Sequence, residues 1–103
     1  MVDEKQRNAQ VLGLARRAGA LETGTDAVVD AVRHGRAKLV LLTSDCSDAT
    51  AKKLTDKTSF YNVPLIKCPL AMEELSHAVG VKRLTAAAAI TDANFVKLYM
   101  KGS

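Results

Sequence analysis

Aromatic residues are scarce in this 103-residue chain: Phe60, Tyr61, Phe95 and Tyr99 make up the whole set, without a tryptophan. That argues against a module whose main grip is stacking bases on aromatic rings. Long apolar runs are missing too. The longest are Leu39 to Leu42 and Ala86 to Ile90, four and five residues, against about 20 for a helix that spans a bilayer. The first residues, MVDEKQRN, are polar and lack the apolar stretch of a secretory signal. A soluble cytoplasmic chain with no membrane partner is expected.

Cysteine is nearly absent. Cys46 and Cys68 lie 22 positions apart, with no CxxC pair and no companion histidine at ligand spacing. They read as two small, half-buried hydrophobes kept reduced in a cytosolic chain, so no metal site is expected. His34 and His77 are far apart and read as surface residues. Neither glycine-rich nucleotide loop occurs, and no nucleophile elbow or carboxylate–histidine cluster can be assembled. The expectation is no catalysis and no cofactor. The "SDCSD" loop (44–48) is explained residue by residue as helix-capping turn chemistry.

What is present is an ordinary globular mixture, 48% apolar and 25% charged, long enough for one domain over residues 1–103. Fifteen basic against 11 acidic residues give a net charge of +4, a mild signal for a polyanionic partner.

Residues 5–18 read as a helix with Val11, Leu14, Ala15 and Ala18 on its apolar face, stopped by Gly19. "ALE" (20–22) is long enough only for a small strand. A second helix over 24–34 buries Val28, Val29, Ala31 and Val32, turns Asp26, Asp30 and Arg33 outward, and closes at Gly35. "KLVLLT" (38–43) is a strand buried on both faces. A third helix covers 49–60, with Ser47 or Asp48 as its cap. "VPLIKC" (63–68) is the next strand, Pro69 breaks into a helix over 71–79, and Gly80 stops it. "TAAAAI" (85–90) reads as a central strand of small residues, because a helix there would merge with the last one, opened by Asp92. Helices alternating with short buried strands predict a single layered α/β domain.

Two places could meet an anion. The second helix opens at "TGT", where Thr23 or Thr25 could cap it and Gly24 lets a ligand come close. Its free N–H groups and dipole suit phosphate. "GVKRLT" (80–85) places an apolar residue, Val81, before Lys82 and Arg83 on a loop, where cations can pair with phosphates and an exposed valine could pack on a base.

Together, "LGLARRAGALETGTDAVVDAVRHGRAKLVLLTSD", "AKKLTDKTSFYNVPLIKC" and "EELSHAVG" resemble the bacterial YlxQ-type proteins, small members of the superfamily of kink-turn RNA-binding ribosomal proteins. The likeness covers about residues 8 to 100. It implies a single-domain three-layer α/β/α sandwich with a mixed four-stranded sheet, no catalysis, and structured RNA, above all ribosomal RNA, as partner in a ribosome or translation-factor context. In such relatives the second helix's start enters a sharply bent RNA with tandem G·A pairs, and a hydrophobic-then-basic loop covers the bulged nucleotides. Those roles would fall here on Gly24, Thr25 and Asp26, with Arg33 on the same helix, and on Val81, Lys82 and Arg83. Where strong kink-turn binders carry an asparagine–glutamate pair, a lysine and a basic residue, this chain has Asp26, Ala27, Asp30 and His34. Asp30 would face phosphate as a like charge, with Arg33 and His34 as its neighbours. The alternative role is a protein–protein adaptor that keeps the fold.

Overall fold

The computed structural model describes residues 3–101. Five helices and four strands follow one another: α1 (Glu4–Arg17), β1 (Leu21–Thr23), α2 (Thr25–Arg33), β2 (Leu39–Leu42), α3 (Asp48–Phe60), β3 (Leu65–Lys67), α4 (Met72–Val79), β4 (Ala87–Ile90) and α5 (Ala93–Lys101). The expected element order holds throughout, including the alanine-rich strand.

The sheet runs β1-β4-β2-β3, with β4 antiparallel to both β1 and β2, and β3 parallel to β2. It is therefore mixed, as the resemblance implied. The two central strands, β2 and β4, are buried along their whole length. Their side chains alternate between two cores. Leu39, Leu41, Ala88 and Ile90 join Leu12, Leu75 and Tyr99 on the face covered by α1, α4 and α5. Val40, Leu42, Ala87 and Ala89 join Val28, Val32 and Leu54 on the face covered by α2 and α3. Small alanines on β4 let helices approach the sheet closely from both sides. Each fully buried Leu or Val contributes roughly 1.5–3 kcal/mol.

The apolar face expected for α1 needs correcting. Asn8, Val11, Leu12 and Ala15 are the buried residues, whereas Leu14 and Ala18 are exposed. The helix is rotated toward α4, where a Cβ added at Gly13 would stand 3.0 Å from the Ala78 carbonyl oxygen. The buried set keeps the i, i+3, i+4, i+7 spacing of a helix face, as the expected set did. Periodicity therefore admits both, and packing against α4 decides between them. Cys68 is buried and Cys46 is half-buried. His34 and His77 are exposed, as expected. Among the described residues no helix is long and apolar enough to cross a membrane.

Candidate nucleic-acid interface

The chain leaves β1 at Thr23, turns at Gly24 with φ 96° and ψ 146°, and enters α2 at Thr25. Only glycine adopts that conformation readily. The turn is held from both sides: Gly24 N donates to the Ala87 carbonyl at 3.0 Å, and the Gly24 carbonyl accepts from Val28 N at 2.9 Å. Neither threonine caps the helix, contrary to expectation. Thr23 is committed to the ladder opposite Ala88, Thr25 already lies inside the helix, and the capping position falls on Gly24, which has no side chain. Among the described residues, the backbone N–H groups of Thr25, Asp26 and Ala27 thus have no acceptor. They point outward at the positive end of the helix dipole.

The loop after α4 faces this helix end. Gly80 closes α4 in the left-handed conformation, φ 74°. Ser76 then ties both ends of the loop down. Its carbonyl accepts from Val81 N at 3.0 Å, and its hydroxyl oxygen accepts from Thr85 N at 2.9 Å. The same hydroxyl donates to the Met72 carbonyl at 2.8 Å. The Thr85 hydroxyl donates to the Ala87 carbonyl at 3.0 Å, fixing the loop to the start of β4. Lys82, Arg83 and Leu84 are left pointing into solvent from a pinned stem.

Between the two walls lies an open groove of about 600 Å³. Thr23, Gly24, Thr25, Asp26 and Ala27 line one side, and the segment from Gly80 to Thr85 lines the other. Six of the seven residues singled out from the sequence therefore share one groove: Gly24, Thr25, Asp26, Val81, Lys82 and Arg83. Arg33 does not line it; it sits two turns further along α2, in the last turn. Val81 is half-buried and packs against the core on the α1–α4 side, so it is not the exposed apolar residue expected. That residue is Leu84, 66% exposed.

Arg16 also lines the groove, from the end of α1, and the sequence reading missed it. Its only signal was the pair of arginines before a helix-stopping glycine, which last-turn dipole pairing explains equally well. Among the described residues, Arg16, Lys82 and Arg83 make no ion pair. Three cations thus stand against one carboxylate, Asp26. Among the described residues no serine, cysteine or histidine lines the groove and no metal-ligating cluster occurs.

Asp30 departs from expectation. Its partner is Arg36, whose Nη2 donates to Asp30 Oδ2 at 2.9 Å, and not Arg33. Arg36 also donates to Glu22 from Nε at 3.0 Å and from Nη2 at 3.2 Å. His34 Nδ1 lies 3.2 Å from Asp30 Oδ1, so the expected His34 neighbour is present. The Arg36 hydrogen bond holds the Asp30 carboxyl below its ordinary range, with the charges of His34, Arg36 and Arg33 adding to that. That shift keeps Asp30 ionised, and it is the pairing with Arg36 that offsets part of its negative charge. The "SDCSD" loop does cap helices, and two of them. The Ser47 hydroxyl oxygen accepts from Thr50 N at 3.2 Å, and Asp45 Oδ1 accepts from Met72 N at 2.8 Å, across 27 residues.

The sequence profile of the ribosomal protein L7Ae/L30e/S12e/Gadd45 family matches residues 6–99. The chain belongs to that family. It is similar to RNA-binding protein YlxQ of Bacillus subtilis, 45% identical over 85 residues, covering 82% of this chain and 83% of that protein. RNA-binding protein YlxQ of Enterococcus faecium is 35% identical, covering 77% and 76%. These relatives make the chain a YlxQ-type member of the family. Among solved structures, a Bacillus halodurans protein of unknown function superposes with a TM-score of 0.81 at 38% identity, covering 89% of this chain and 92% of that one. The Giardia lamblia 15.5kD RNA binding protein superposes with a TM-score of 0.76 over 98% of this chain and 89% of its own. At 19% identity that likeness speaks for the α/β/α fold alone.

Proposed function

We propose that the chain is a non-enzymatic, cytoplasmic RNA-binding protein that takes a structured, sharply bent RNA of the kink-turn kind into the α2 groove, in a ribosomal or translation context. The observation that carries the reading is the uncapped start of α2 facing three cations, Arg16, Lys82 and Arg83, that make no ion pair among the described residues. Free backbone donors and cations on opposite walls suit a phosphate backbone at a bend, where two strands approach one another. Asp26 can accept from base amino or imino groups but cannot donate. It selects for exposed base edges rather than for phosphate. That the YlxQ relatives are named RNA-binding proteins supports the choice of ligand class.

The test is a titration of a labelled kink-turn RNA, beside ribosomal RNA fragments, at several salt concentrations. With three phosphates neutralised, log affinity should fall against log salt with a slope of about −3. Folded protein that binds none of these RNAs at low salt would sink the reading and favour a protein–protein adaptor.

A further inference from the structure

Phe60 and Tyr61 end α3 side by side, 77% and 40% exposed. Their ring centroids are 4.9 Å apart at an interplanar angle of 69°, an edge-on arrangement that leaves a ring face open to solvent. The other aromatics are used differently: Tyr99 is buried and Phe95 packs against the core. Lys53, Asp56 and Lys57 share a shallow depression with the two rings. The spacing explains why, since 53, 57, 60 and 61 fall along one side of a helix. Asp56 makes no ion pair with either lysine. The stripe carries two ammonium groups against one carboxylate, beside two rings that stabilise no core.

This patch is separate from the groove. The groove lies where β1 ends and β4 begins. Tyr61 leads, through Asn62 to Pro64, into the start of β3. Because β3 is parallel to β2 and β2 is antiparallel to β4, β3 starts at the opposite end of the sheet.

We propose that Phe60 and Tyr61, with Lys53 and Lys57, form a second RNA contact that takes unpaired nucleotides, bases stacked on the rings and phosphates on the lysines. Rings with flanking cations are what a single strand requires, and stacking tolerates any base. Two rings are too few for a main grip, so the patch acts as an auxiliary contact. It shares with the function above only the choice of RNA as ligand.

The experiment titrates isotopically labelled protein with an eight-nucleotide oligoadenylate, reading backbone amide shifts residue by residue. Shifts should gather at Lys53, Lys57, Phe60 and Tyr61, and Phe60→Ala should weaken binding about fivefold or more. Phe60→Leu should weaken it comparably and Phe60→Trp should restore it, because stacking needs a π face. Phe60 is exposed enough that all three variants should fold. Oligoadenylate that moves only Gly24 to Ala27 and the 80–85 loop would overturn the patch while leaving the groove intact. Shifts at the patch with no kink-turn binding in the groove would do the reverse. Affinity that Phe60→Leu preserves would also overturn the proposal, pointing to a generic apolar surface for a protein.

Discussion

At the start of α3 the Ser47 hydroxyl accepts from Thr50 N at 3.2 Å, while at the start of α2 Gly24 has no side chain to offer. The remaining helices side with α3. Asp3 Oδ1 accepts from Gln6 N at 2.8 Å at the start of α1, and Asp92 Oδ1 accepts from Asn94 N at 2.7 Å at the start of α5. The start of α4 receives two carboxylates, Glu74 Oε1 on Ala71 N at 2.9 Å and Asp45 Oδ1 on Met72 N. Four helix starts thus carry a side-chain cap, and among the described residues that of α2 carries none. Glycine is itself a tolerated N-cap, so leaving α2 without a capping side chain forgoes only a few tenths of a kcal/mol, against about 1 kcal/mol for an alanine there.

Changing the open start should have the largest effect. Gly24→Ala forces a Cβ into a backbone region that only glycine tolerates, and the surrounding space is empty, so the cost is strain and not collision. Stability should drop by roughly 1–3 kcal/mol in urea denaturation, and RNA binding should weaken with it. An unchanged denaturation midpoint would show that the turn at Gly24 relaxes freely. Arg83→Ala isolates the opposite wall. Binding should weaken by roughly 1–3 kcal/mol, while stability moves by less than about 0.5 kcal/mol. The matching change Arg33→Ala, outside the groove, should leave groove binding unaltered.

Ser47→Ala is the mirror experiment. It should cost about 1 kcal/mol of stability and leave RNA affinity untouched; a loss of affinity would mean that capped starts also face the ligand. Asp30→Lys sharpens the comparison along α2 itself. It should tighten kink-turn binding and steepen the salt slope by about 1, although Arg36 already offsets part of the charge it removes. No tightening would confine the RNA surface to the first turn of α2.

The smallest effect concerns the closed start of α4 in acid. The Ala71 N–H bond, followed by Lys5, holds the Glu74 carboxyl below its ordinary value of 4.5. A group lowered in the folded state stabilises the fold above its unfolded value, and that contribution disappears as pH falls through the folded one. Glu74→Gln should therefore flatten the loss of stability on acidification below about pH 4.5. Identical acid profiles would mean that the cap contributes nothing through its charge.

Most of the element order was readable because its signals are local. Gly19, Gly35 and Gly80 each take positive φ just past or at a helix end, and the apolar run at Leu39 to Leu42 admitted only a buried strand. The family was legible for the same reason, since its motifs are runs of neighbouring residues. Errors gathered where distant segments decide. Leu14 lost its place in the core to Leu12 because α4 approaches at Gly13. Val81 turned inward and Leu84 outward because Ser76 ties the loop at both ends. Arg36, not Arg33, reached Asp30 because the turn after α2 brings it back toward Glu22 on β1.

The sequence by itself determined that one α/β domain would form, which residues close most helices, and that Gly24 and the Val81–Arg83 loop were chemically suited to an anion. Only the tertiary structure decided that they line one groove. The antiparallel pairing of β1 with β4 places the end of one strand beside the start of the other, so the start of α2 and the loop, about 60 residues apart in the chain, line one groove together with Arg16. Strand pairing is a long-range choice made by burial of the whole sheet, and no local pattern of side chains encodes which strand ends become neighbours.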